Sequence, residues 1–129
     1  MKRNMDLVRT LLLKLEQLPI RPGGIVHLVP NAAEIAIDGF SPDEIEYHLS
    51  LLQEAGLLEC SDSQPMVGIM FRRLSWTGHD FVDSIRDDEI WRKTKKGAEA
   101  TGSFTFELLS DLAKGFIKTK IQEHTGIKL

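Results

Sequence analysis

The sequence predicts an α+β domain in which one helix runs straight into a two-stranded hairpin. Three observations carry that prediction. Residues 40–58 read FSPDEIEYHLSLLQEAGLL: Ser41 and Pro42 open a helix, Ile45, Leu49 and Leu52 recur at helical spacing, and Ala55-Gly56-Leu57-Leu58 ends the helix and begins a strand. Ser61-Asp62-Ser63-Gln64-Pro65 then reads as a loop tip, and Met66 to Leu74 returns as a strand in which Val67, Ile69 and Phe71 alternate. Amphipathic helical patterns lie before and after. This order, a recognition-type helix leading into a wing, is that of a winged helix-turn-helix-like domain with extra C-terminal helices.

Each element has a local cause. Asn4 or Asp6 can cap a first helix running to about Leu18, where Pro19 ends it. Val8, Leu11, Leu12, Leu15 and Leu18 form its apolar stripe, and Leu13 stands within the polar face as a stray leucine or a dimer contact. Pro22-Gly23-Gly24 marks a turn, Ile25 to Val29 a short strand, Pro30-Asn31 another turn, and Glu34 to Ile37 a second strand, which together predict a hairpin. A short helix would stand there in a standard winged helix. Ser41 as N-cap, Pro42 at N1 and the acids Asp43 and Glu44 suit the start of the 41–55 helix, and Gly56 suits its end. Thr77 can cap a helix burying Phe81, Val82 and Ile85, and Asp87 or Asp88 a new turn with Ile90 and Trp91. Gly97 to Gly102 reads as a polar linker, and a last helix is expected from Phe104 to Glu123 with Leu109, Leu112, Ala113, Phe116, Ile117 and Ile121 on its apolar face. The expected organisation is a core over residues 1–86 and a helical extension over 87–129 packed on it as one compact domain.

Composition narrows the function classes. The 129 residues are 42% hydrophobic and 27% charged, a globular balance. No apolar run reaches membrane-spanning length, and MKRNMD is followed by no signal-type apolar segment, so a cytoplasmic protein is expected. The lone cysteine, Cys60, excludes an internal disulfide and fits a reducing compartment. The net charge of −3 is unusual for a dedicated nucleic-acid binder. Residues 1–60 hold five Lys/Arg and nine Asp/Glu, against eleven and ten in residues 61–129. Any attraction to phosphate must therefore come from local clusters.

No catalytic constellation is visible. His27, His48, His79, His124 and Cys60 are not paired at metal-ligand spacing, so neither a metal nor a cofactor is expected. No nucleophile elbow or phosphate-binding glycine loop occurs. The run Asp87-Asp88-Glu89 is explained by helix capping, and no enzyme is expected. On the 41–55 helix the groove-facing set would be Pro42, Asp43, Glu46, Tyr47 and Ser50, of which Tyr47 and Ser50 are the candidate DNA contacts. His48 is expected to be packed and hydrogen-bonded. Positive charge lies elsewhere: Arg72 and Arg73 on the returning strand suit backbone or minor-groove contact, and Arg92, Lys93, Lys95 and Lys96 form a solvated helix face, a phosphate clamp or a patch for an acidic partner. Trp76 and Trp91 are expected in the core beneath the wing, with a protein interface as the alternative.

Two resemblances sit beside these features. Tyr47-His48-Leu49-x-x-Leu52-x-x-Ala55-Gly56-Leu57 and Arg73-Leu74-Ser75-Trp76-Thr77-Gly78 resemble the recognition helix and wing exit of winged-helix regulators of the arsenic-repressor and multiple-antibiotic-resistance types. Met1 to Arg9 (MKRNMDLVR), Tyr47-His48-Leu49, and Ile85-Arg86-Asp87-Asp88 followed by Trp91 resemble a family of small bacterial and prophage proteins catalogued as a domain of unknown function. That resemblance implies a winged-helix-like fold and supplies no reaction or binding residues. The expectation is a noncatalytic regulatory or accessory protein, such as a transcriptional regulator, that binds DNA, weakly or as a dimer. The alternative is a protein-interaction or dimerisation module that has lost DNA binding, with Leu13, Phe116 and Ile117 as its apolar handles.

Overall fold

The first helix forms because Asn4, in extended conformation, accepts the Leu7 amide on its side chain and leaves Met5 to Glu16 to wind as α1. Leu7, Leu11 and Leu12 recur on one face, are fully buried, and pack α1 on α2, β3 and a single 3-10 turn. The computed structural model describes all residues from Met1 to Leu129. Its elements follow in the order α1 (Met5–Glu16), β1 (Val26–Leu28), the 3-10 turn (Ala33–Ile35), α2 (Pro42–Glu54), β2 (Leu58–Cys60), β3 (Ile69–Leu74), α3 (Trp76–Ile85), α4 (Asp88–Thr101) and α5 (Phe106–Thr125). The fold is therefore α+β. Two compact units are present, Met1–Asp80 and Phe81–Leu129, and the division falls inside α3.

In the first unit, α2 starts on a capping box. Ser41 Oγ accepts the Glu44 amide at 3.2 Å, and Glu44 Oε1 accepts the Ser41 amide at 3.1 Å. Ile45, Leu49 and Leu52 turn inward as their spacing predicts. The sheet is antiparallel in the order β1-β3-β2, so the longest strand lies in the middle. Val26 pairs with Phe71, His27 with Met70 and Leu28 with Ile69, while Leu58 pairs with Leu74 and Glu59 with Arg73. The corner from β3 into α3 is tight. Ser75 Oγ donates to Gly56 O and accepts the Gly78 amide, and a side chain at Gly78 would run into the Leu57 carbonyl.

In the second unit, Asp87 caps α4 by accepting the Ile90 amide at 2.9 Å, and Gly102, at φ 71°, closes the helix. α4 packs on α5, with Gly97 lying against Leu112 and Leu109 and Ala113 buried. The Phe81 and Phe106 rings meet at 4.6 Å, and Lys120 of α5 pairs with Asp87 at 3.3 Å.

Several local expectations are corrected. No strand forms at 34–37. Ile35 donates to Ala32 O and Ala36 to Ala33 O, closing the 3-10 turn, because Ala-Ala-Glu is poor strand sequence and Ile35 is better buried in that turn. β1 pairs instead with the distant β3. The returning strand starts at Ile69 rather than Met66, because Gly68 turns the chain at φ 75°. The expected linker at 97–102 is helical to Thr101, since Gly97 is a site of close helix packing rather than a stop. Ser75, not Thr77, caps α3. Trp91 is buried as expected, but Trp76 is 84% exposed at the first position of α3, where no core face is available to it.

Candidate nucleic-acid interface

The outer face of α2 meets the β2–β3 hairpin at two places in the first unit. Glu46, Ser50 and Gln53 share a helix face at i, i+4 and i+7. At one end, Glu46 Oε1 accepts the Gly68 amide at 2.9 Å, which ties α2 to the chain entering β3. At the other end, Gln53 lines an open depression of about 580 Å³ together with Glu59, Cys60, Ser61, Gln64, Arg72 and Arg73. Ser50 is exposed between them. Tyr47 is half-buried, its ring edge-on to His48 at 5.5 Å, and so is less available than a groove-reading residue needs to be.

A β-bulge sets the two arginines. The β2–β3 register slips between Glu59, opposite Arg73, and Cys60, opposite Phe71. Arg72 is the extra residue, without a partner in either ladder. Adjacent strand residues ordinarily face opposite sides. Here Ile69 and Phe71 are buried before the bulge and Leu74 after it, so the inward parity changes across it and Arg72 and Arg73 both turn to the depression. Arg73 reaches Glu59 in an ion pair of 2.6 Å, with 60% and 44% of the two side chains exposed. Arg72 makes no ion pair. Burial pushes the Cys60 thiol up, which disfavours a reactive thiolate.

Three acids near this surface have partners: Glu44 serves the capping box, Glu46 the Gly68 amide and Glu59 the Arg73 guanidinium. Asp62, exposed at the hairpin tip, lines the same depression as the two arginines. The first unit still holds seven Lys/Arg against eleven Asp/Glu. His48 is buried and fully bonded: Nε2 accepts the Asn4 amide and Nδ1 donates to Glu44 O, each at 2.8 Å.

The remaining candidates lie apart in sequence and role. Arg92, Lys93, Lys95 and Lys96 are on α4 in the second unit. Lys93 pairs with Glu89 at 3.2 Å and Lys95 lies 6.0 Å from the centre of the Trp91 ring, whereas Arg92 and Lys96 are exposed. Leu13 is half-buried beside a shallow depression that also touches Glu34, and Phe116 and Ile117 are half-buried on α5. No group of three His, Cys, Asp or Glu side chains is placed to hold a metal ion, and no helix is long and apolar enough to cross a membrane.

Sequence reasoning missed the bulge, the Glu59–Arg73 pair and the Glu46–Gly68 bond. One trace of them was legible: Gly68, set between Val67 and Ile69 in an apolar run, is the kind of strand glycine that marks a close backbone approach. A side chain there would overlap the Leu28 carbonyl.

Residues 2–104 match the family model described as "Hypothetical protein (DUF2513)". The chain belongs to that family. The match takes in the first unit from its second residue onward and all of α4, and ends before α5. The chain is also similar to a Haemophilus influenzae (strain Rd) protein described as "Uncharacterized protein", at 35% identity over 125 residues that cover 95% of this chain and 98% of the relative. Relatives of the chain thus occur in bacteria, as the resemblance at the N-terminus and around Tyr47-His48-Leu49 implied. No solved structure matches the chain.

Proposed function

We propose that the first unit is a winged-helix module of a noncatalytic regulatory or accessory protein, and that it contacts DNA mainly through its wing. The order helix, strand, turn, helix, hairpin and the sheet order β1-β3-β2 support the winged-helix reading. The 3-10 turn at Ala33–Ile35 stands where the usual middle helix would be. The observation that carries the DNA reading is the bulge that turns Arg72 and Arg73 to one outer face beside Gln53. An acidic α2 N-terminus is repelled by phosphate, so α2 takes a lesser role than in an ordinary groove reader. Anisotropy titration of a short labelled duplex tests this. Arg72→Ala with Arg73→Ala should weaken binding and flatten its salt dependence by about 0.9 in log–log slope for each phosphate no longer neutralised.

A second reading, a protein-interaction module on the same scaffold, is favoured by Trp76 at 84% and Met66 at 100% exposure. Under it, Trp76→Ala would abolish partner or self-association while the arginine variants would leave it intact.

A further inference from the structure

Glu59 and Arg73 are directly opposed across the β2–β3 ladder, so their side chains leave the sheet on the same side and meet at 2.6 Å. Arg72 stands next to them, outside both ladders and without an ion pair. The two arginines therefore face the same depression in different electrostatic states. Arg72 is half-buried and has no carboxylate on its five N–H donors. The other has its fork occupied by a carboxylate, and that carboxylate also adds a negative charge where a phosphate would approach.

We infer that Glu59 is an electrostatic brake on nucleic-acid binding: Arg72 is the standing phosphate contact, and Arg73 is a second contact held in reserve by the Glu59 carboxylate. This rests on the DNA reading above. A phosphate reaching Arg73 must displace Glu59 or share the guanidinium with it, and sharing forfeits the bidentate geometry that makes arginine a strong phosphate ligand. Neutralising Glu59 removes the competitor and the repulsion together. Because the pair is more than two-fifths exposed on both sides, it contributes little to stability, so the fold survives the change.

The test compares wild type, Glu59→Gln, Arg73→Ala and the double variant in anisotropy titrations of one labelled duplex across a salt series, with circular dichroism as the check on folding. The expected result is that Glu59→Gln binds at least about threefold tighter at low salt and steepens the salt slope by about 0.9, the value for one further phosphate neutralised. Arg73→Ala in the Glu59→Gln background should abolish that gain, while Arg73→Ala alone should change the slope little. Binding by all four proteins with Glu59→Gln equal to or weaker than wild type would overturn the brake and leave the DNA reading standing; it would make Glu59 a residue that positions Arg73. Failure of every folded protein to bind would overturn both.

Discussion

The Asn4 amide donates to His48 Nε2 at 2.8 Å, and this one bond joins the start of α1 to the middle of α2. The same Asn4 caps α1 with its side chain, and His48 Nδ1 donates to Glu44 O within α2. One ring nitrogen accepting and the other donating fixes a neutral tautomer with the proton on Nδ1. Two of the segments that carry the family resemblance, MKRNMDLVR and Tyr47-His48-Leu49, are thereby joined. His48→Leu should cost roughly 1–3 kcal/mol, because the Asn4 amide and Glu44 carbonyl are left without their partner. Urea unfolding midpoints measure this; an unchanged midpoint would show that the bond contributes nothing.

Gly68 meets two constraints at once. Its φ of 75° is unfavourable for any side chain, and its Cα faces the Leu28 carbonyl too closely for a Cβ. Gly68→Ala should destabilise the protein by more than about 2 kcal/mol. Glu46→Gln, which keeps an oxygen acceptor for the Gly68 amide, should cost less than about 1 kcal/mol. Thermal melts of both variants check the ranking.

The two tryptophans differ enough to be read separately. Trp76 is 84% exposed and Trp91 only 4%. Trp91→Phe should leave a fluorophore with water-like emission that acrylamide quenches strongly. Trp76→Phe should leave a blue-shifted, shielded one. Equal quenching of the two would contradict the burial pattern.

Asp87 predicts a pH effect with a defined sign. Its carboxylate accepts the Ile90 amide and pairs with Lys120, and these hold its pKa below the ordinary 3.8. The stabilisation is present above the unfolded-state value and disappears as pH falls below it through the depressed folded value. Asp87→Asn keeps a capping oxygen but removes the charge. The gap in Tm between wild type and Asp87→Asn should therefore shrink between about pH 5 and pH 2–3. A gap that stays constant across that range would refute the assignment.

Where side-chain pattern and capping decide the structure, the sequence was legible. Ser41-Pro42 and the spacing of Ile45, Leu49 and Leu52 located α2, and Asp87 located the start of α4. The α+β class followed from these. Non-local features did not show. The partner of β1 lies more than forty residues away in β3, so the alternation at 34–37 suggested a neighbour that the chain does not use. Trp76 was expected inside because tryptophan is apolar, but it occupies the first position of α3, where Gly78 and not Trp76 takes the inward side. The Arg72-Arg73 pair was visible as charge. That both face one side was not, because strand parity without a bulge separates adjacent residues.

The salt dependence of duplex binding decides whether the β2–β3 hairpin grips DNA. Wild type should bind a labelled duplex at low ionic strength with a negative log–log slope, and Arg72→Ala with Arg73→Ala should weaken binding and bring the slope closer to zero by about 0.9 or more. Identical slopes and affinities for wild type and the double variant, or no binding by wild type at low salt, would contradict DNA binding by this hairpin.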